Sequence, residues 1–444
     1  MVKRTLRWGT VLILVSLAFM YGYISFRLHI FPATTIERLL WWARRRPIVQ
    51  NELVPPGRWH ATRARPGEAS GDKQAQAFGL PYAAGTRPAT PRQGVVLHEE
   101  RAEPGLNLVV SAHDAEAILI DMDGKRVRTW RGDEANIPPN PARPRAAPYW
   151  RRVRLLDDGG ILAIREGLAL VRLGADSSLV WAHACECHHD LDLDDAGNIL
   201  VLDRRATSVP HINPDSPVLV DLIVTLSPEG KVLSEFSVLE AFERSDYVRL
   251  LDGMIKERDL FHTNTLSRLD GRAGAAGEAA APMFAAGNLL VSLRQLNVIA
   301  VIDPAQQRVV WAMTGLFRRQ HDPDLLDTGN MLIFDNEAGP GRSRVLEIDP
   351  LTQRIVWSYE GSDETPFYTE ACGTSQRLAG GNTLITESDQ GRAFEVTPDG
   401  RIVWEYVNPW RAGDSGELVA TLFEVVRLPL DTPGSILQTA KPGH

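Results

Sequence analysis

The 444-residue chain has only three cysteines, which excludes a scaffold held together by many disulfides and constrains its redox compartment weakly. It has no excess of basic residues. Its 48 Lys and Arg stand against 56 Asp and Glu, a net charge of −8, so a polyanion-binding surface and nucleic acid as a partner are not expected. No Walker-type GxxxxGK(S/T) loop occurs, which leaves a nucleotide-bound donor without a cradle. With 44% hydrophobic and 23% charged residues, the chain is neither disordered nor a multi-span membrane protein. What it does have is length enough for about three domains of roughly 150 residues, or for one large ring of β-sheets.

Residues 8–26 (WGTVLILVSLAFMYGYISF) carry no charge and would span about 28 Å as a helix, enough to cross a bilayer. Lys3, Arg4 and Arg7 precede the run and no small-x-small cleavage site follows it. It therefore reads as an uncleaved signal anchor, a single membrane pass with the rest of the chain in the periplasm or otherwise outside the cytoplasm. Arg27, Arg38, Arg44, Arg45 and Arg46 on the far side compete for the cytoplasm, so charge leaves the orientation open. Residues 35–46 (TIERLLWWARRR) fit a helix lying in the membrane interface or an amphipathic helix packed on a domain. Residues 47–93, rich in Pro, Gly, Ala and Arg, read as a tether, with the folded domain over 94–435.

The rest of the sequence repeats. GNLLVSLRQLNVIAVIDPAQQRVVW ends at Trp311, GNMLIFDNEAGPGRSRVLEIDPLTQRIVW at Trp357 and GNTLITESDQGRAFEVTPDGRIVW at Trp404, at spacings of 46 and 47 residues. Weaker copies start at Gly105, Gly159 and Gly197 and end at Trp130, Trp181 and Phe236. Alternating apolar strands with DG or DP turns at this period predict an all-β fold, a six-bladed propeller. Residues 417–430 are placed to supply the strand that closes the ring on the first blade. The repeat-end tryptophans are read as packing between blades. Two insertions, a helical stretch over 238–259 and an Ala/Gly-rich loop over 271–286, are rim or lid elements or solvated loops.

In a propeller the innermost strand of each blade lines the axis, so side chains at one register converge from distant parts of the chain. His189 and His321 each lie eight residues before their blade glycine, Gly197 and Gly329. His262 lies nine before Gly271, nearly the same place if the Ala/Gly-rich loop is inserted at that turn; Arg151 and Gly373 take the register in the second and sixth blades. Three imidazoles suit zinc or copper, whereas Arg294 on the next strand favours an anion. Asp190, Asp192, Asp194 and Asp195 lack the glycine and distal Glu of a calcium loop and read as strand and turn residues. A bond between Cys185 and Cys187 would be strained, so either could pair with Cys372 instead. The CECHH stretch has no second ligand cluster to complete a zinc site, and no metal is assigned.

HHDLDLDDAGNILVLD from His188, DLFHTNTL from Asp259, GNLLVSLRQLN from Gly287 and RRQHDPDLLDTGNMLIFDN from Arg318 resemble the arylsulfotransferase family, bacterial sulfuryl-transfer enzymes built on a six-bladed propeller. The likeness runs from the first blade through Pro409. It implies that His321, after Gln320, is the nucleophile that accepts a sulfuryl group from an aryl sulfate and passes it to a phenol, without a cofactor. It also implies that His262 with Asn264, and Arg294 with Ser292, bind the sulfuryl oxygens and shuttle a proton, and that His189, or His188 beside it, completes the site. The loop after Asp270 and the CEC sequence depart from the family pattern. The rival expectations are a non-catalytic envelope propeller that binds an anionic ligand or a partner protein, and a metal-dependent hydrolase using the same histidines.

Overall fold

Strands that alternate apolar and polar residues, cut by tight Asp-containing turns, leave each repeat with sheet faces it cannot bury alone. In the computed structural model, which describes residues 21, 55–62, 92–132, 147–254, 259–271, 281–414 and 416–430, six such sheets bury them on one another. The expected anchor over 8–26, apart from Tyr21, and the expected interface helix over 35–46 lie outside the described residues. Among the described residues no helix is long and apolar enough to cross a membrane. Residues 1–54 and 55–444 form separate units, and the blades belong to the second.

The first strands of the six blades are Leu422–Leu428, Arg152–Leu155, Leu191–Leu193, Thr263–Arg268, His321–Leu325 and Thr374–Arg377. They surround the axis and contact one another from blade to blade. In the first blade that strand comes from the far end of the sequence. Leu422–Leu428 pairs antiparallel with Leu106–Ser111 and closes the ring. The sixth blade has a fifth, outermost strand, Gly94–His98, paired with Ile402–Val407.

The repeat-end tryptophans join neighbouring blades. Trp130 Nε1 donates to Gly159 O at 3.0 Å, Trp181 to Pro228 O at 3.0 Å, Trp357 to Pro398 O at 2.9 Å and Trp404 to Met122 O at 2.9 Å, each on the following blade. Gly230 shows how close this packing is: its φ is +78°, and a Cβ there would meet the Trp181 ring at 2.9 Å. Near the axis, aspartates tie backbone to backbone. Asp190 and Asp192 of the third blade accept from Leu266 N and Arg268 N of the fourth, and Asp322 of the fifth accepts from Ser375 N of the sixth. These carboxylates are thus engaged in joining blades rather than in a calcium loop.

Two expectations are corrected. Part of the segment read as a tether is a strand: Trp59–Ala61 pairs with Leu418–Ala420, Arg58 N donates to Ala112 O, and Trp59 is buried. An open sheet edge and an aromatic ring to bury outweigh the Pro- and Gly-rich composition there. The insertion over 238–259 is a packing element. Its helix Val238–Glu243, capped by the Ser237 hydroxyl accepting from Glu240 N, buries Val238, Leu239, Ala241 and Phe242 against the third and fourth blades. The second insertion sits at the turn between the first and second strands of the fourth blade, and its described end buries Phe284 against Trp311.

Candidate active site

The chain enters several innermost strands through residues in the left-handed region, which non-glycine side chains rarely adopt. His189, His262, Arg319, Asp322 and Cys372 have φ of 54°, 51°, 51°, 50° and 63°. Such strain tends to gather at functional sites. Here it borders a small polar recess to which all six blades contribute, with Phe423, Arg151, His189, Asn264, His321 and Cys372 among its lining residues.

His321 is 4% exposed, and its hydrogen bonds define its tautomer. Asn336 uses its amide nitrogen to donate to Thr369 O and Cys372 O, so its Oδ1 must accept from His321 Nδ1, at 2.7 Å; Arg319 O lies 3.0 Å from the same nitrogen. The proton is therefore on Nδ1 and the lone pair on Nε2, where the Cys372 N–H approaches to 3.3 Å. Burial, followed by the charge of Arg294, pushes the imidazole well below its ordinary pKa of 6.5. The ring is a neutral base whose Nε2 lone pair accepts from the Cys372 backbone N–H.

His262 is held by Asp259, whose carboxylate takes Nδ1 at 2.6 Å and the His262 backbone N–H at 3.0 Å. Burial alone would raise Asp259, but its bond to His262 keeps it below the ordinary carboxylate value. The His262 ring meets His189 edge-on at 4.8 Å between centroids. His189 is depressed well below its ordinary value by burial, then by Arg151. Behind it His188, almost fully buried, shares a hydrogen bond between the two Nδ1 atoms at 2.9 Å.

Arg294 follows the strand Leu289–Leu293, and its Nε is buried without a partner. Burial and the neighbouring Arg319 lower its pKa. It makes no ion pair among the described residues. Asn264 lines the recess and donates to Gln320 O at 2.9 Å. Gln320 and Ser292 are fully buried behind the wall, where Gln320 Nε2 donates to Ser292 Oγ at 3.1 Å and to Val298 O at 2.9 Å. They hold the strand that carries His321 rather than facing the recess.

Below the imidazoles, Arg152 pairs with Asp190 at 2.8 Å and Glu424 at 2.7 Å, with Asp322 at 3.6 Å. Burial raises Asp190 to about 6 and Glu424 to about 7. Two arginines of the region were not singled out as site residues from the sequence. Arg151 is a recess wall residue, and its signal was its register, eight before Gly159. Arg58, whose Nη1 donates to Cys372 Sγ at 3.5 Å, comes from the segment read as a tether and carried no signal.

Cys185 and Cys187 are bonded to each other, and Cys372 is buried and free, so the pairing with Cys372 that the sequence left open is not formed. Their Cα atoms are 5.1 Å apart, an ordinary separation for a disulfide, whereas Cys372 belongs to the sixth blade. Among the described residues no group of three or more His, Cys, Asp or Glu is arranged to hold a metal ion.

A family model described as arylsulfotransferase (ASST) matches residues 152–409. No curated protein matches the chain in sequence. Similar solved structures include a protein of unknown function from Bacteroides caccae, 15% identical with a TM-score of 0.46, the match covering 73% of this chain and 98% of that one. A virginiamycin B lyase from Staphylococcus aureus is 11% identical with a TM-score of 0.39, covering 74% and 98%. A streptogramin B lyase is 11% identical with a TM-score of 0.42, covering 76% and 94%.

Proposed function

Because this chain belongs to the arylsulfotransferase family, by a match over more than half its length, and is sulfotransferase-like on that ground, we propose that it moves a sulfuryl group from a phenolic sulfate ester to a phenolic acceptor through His321. Nε2 of His321 attacks sulfur, the bond from sulfur to the aryl oxygen breaks, and the departing phenolate takes a proton from His262. The enzyme then carries the sulfuryl group on nitrogen. An acceptor phenol gives its proton to His262 as its oxygen attacks sulfur, and the S–N bond breaks, returning the lone pair to His321. Splitting the transfer in two gives each half an easier barrier. Asp259 steadies His262 while it is charged, and Arg294 and Asn264 bind the peripheral oxygens. His189 packs against His262 and sets its orientation. No nucleotide donor takes part.

The observation that carries this reading is a buried, neutral His321 with its Nε2 lone pair at the recess, its basicity lowered by the charge of Arg294, which makes no ion pair among the described residues. We further propose a membrane-anchored protein with its propeller outside the cytoplasm. The support is the uncharged run over 8–26 behind Lys3, Arg4 and Arg7, and the disulfide at Cys185. The test is intact-mass spectrometry of the full chain incubated with nitrophenyl sulfate. Wild type should gain one SO3 unit and release nitrophenol, and His321→Ala should do neither. Binding without release by wild type would reduce the protein to a non-catalytic anion-binding propeller.

A further inference from the structure

A buried guanidinium is costly unless something neutralises it, and several arginines inside the propeller have a carboxylate. Arg152 has Asp190 and Glu424, Arg392 has Glu387 and Glu405, and Arg427 has Glu395. Arg151, immediately before Arg152, is only 7% exposed and departs from this rule. Among the described residues its guanidinium has no ion-pair or hydrogen-bond partner. It lies instead over the face of Phe423, 4.6 Å from the ring centroid. Stacking occupies the flat face of the guanidinium and leaves its in-plane N–H groups free to donate.

We infer that Arg151 is a second guanidinium that grips the oxygens of the anion presented to His321, an assignment that rests on the sulfuryl-transfer reading and adds a residue outside the family-matched segment. Its register matches that of His189 and His321, eight residues before the blade glycine, and it lines the same recess as both. Its charge also reaches both rings, contributing to the depressed basicity of each. The carboxylates nearest the recess floor are already taken up by Arg152, and among the described residues neither Arg151 of the second blade nor Arg294 of the fourth makes an ion pair. Two such donors fit a group with several equivalent oxygens, the SO3 of a sulfate ester, better than a monodentate anion.

The test uses the full chain in detergent, with nitrophenyl sulfate as donor and phenol as acceptor. Arg151→Gln should lower kcat/KM for the donor by on the order of 10²–10³, as removal of one preorganised donor does, and leave the KM for phenol unchanged. Added guanidinium ion should restore part of that rate, which a purely structural role for Arg151 would not allow. Unchanged kcat/KM in a folded Arg151→Gln protein would overturn the assignment. Should that variant fail to fold, Arg151→Lys takes its place: a reduced kcat/KM supports the assignment and an unchanged one overturns it. If wild type turns over no aryl sulfate, the sulfuryl-transfer reading fails, and inorganic sulfate then decides the role of Arg151. A sulfate-induced rise in Tm seen in wild type and lost in Arg151→Gln supports it; an equal rise in both, or none in wild type, overturns it.

Discussion

Replacing Asp259 with Asn tests the division of labour between His262 and His321. The carboxylate holds His262 Nδ1 at 2.6 Å and its backbone N–H at 3.0 Å. An amide in its place can still accept from the backbone, but it then turns its NH2 toward Nδ1 and no longer favours a charged ring. A hydrogen bond to a charged partner has a net worth of about 1.5–3 kcal/mol. That is about one to two powers of ten in rate if the whole of it is felt in the transition state. The loss should depend on the leaving group, since a phenolate of ordinary basicity needs a proton as it departs and a nitrophenolate needs little help. Donor kcat/KM for phenyl sulfate should therefore fall by the full factor, and that for nitrophenyl sulfate should hardly change. An equal loss for both donors, or no loss for either, would refute the assignment of His262 as the proton carrier.

Three further measurements bear on architecture and electrostatics. Trp130→Ala removes a fully buried ring and its bond to Gly159 on the next blade, and should cost about 3–5 kcal/mol in denaturant unfolding; a cost below about 1 kcal/mol would mean that the blades are locked elsewhere. Glu424, raised from 4.5 to about 7 by burial, stabilises the fold at a pH below its unfolded value and loses that contribution as pH rises through 7. Unfolding at pH 5 and pH 8 should thus differ by on the order of 2 kcal/mol more in wild type than in Glu424→Gln, and an identical difference in both would contradict it. His321 and His189 act in the opposite sense: their depressed folded values mean that stability falls as pH drops below about 6.5, where the unfolded chain takes up protons first. His189→Gln should flatten that acid limb.

The blades were legible because a tryptophan recurring every 46 or 47 residues has one economical structural explanation, and the ring then turned sequence register into proximity. His189, His262 and His321 could be grouped on that basis although the first and last are far apart in the chain. Arg151 shared the register and was passed over, because arginine is common on protein surfaces and only the structure reveals that this one is buried without a carboxylate. Gln320 and Ser292 were legible as neighbours of the site but not as its buttress, since burial behind a wall and exposure on it look alike in a strand pattern. The strand at Trp59–Ala61 was hidden by its composition. Its partner, Leu418–Ala420, lies more than three hundred residues away, beyond the reach of any local rule.

The strand that completes the first blade bears on how the protein is made. Phe423, on which Arg151 rests, and Glu424, which helps neutralise Arg152, both belong to Leu422–Leu428. A nascent polypeptide that has emerged only as far as its sixth sheet holds its histidines but lacks the stacking ring and one counter-ion. The complete recess therefore arrives in one late event, when Leu428 has left the ribosome and the circle shuts, and not by degrees as each sheet is added.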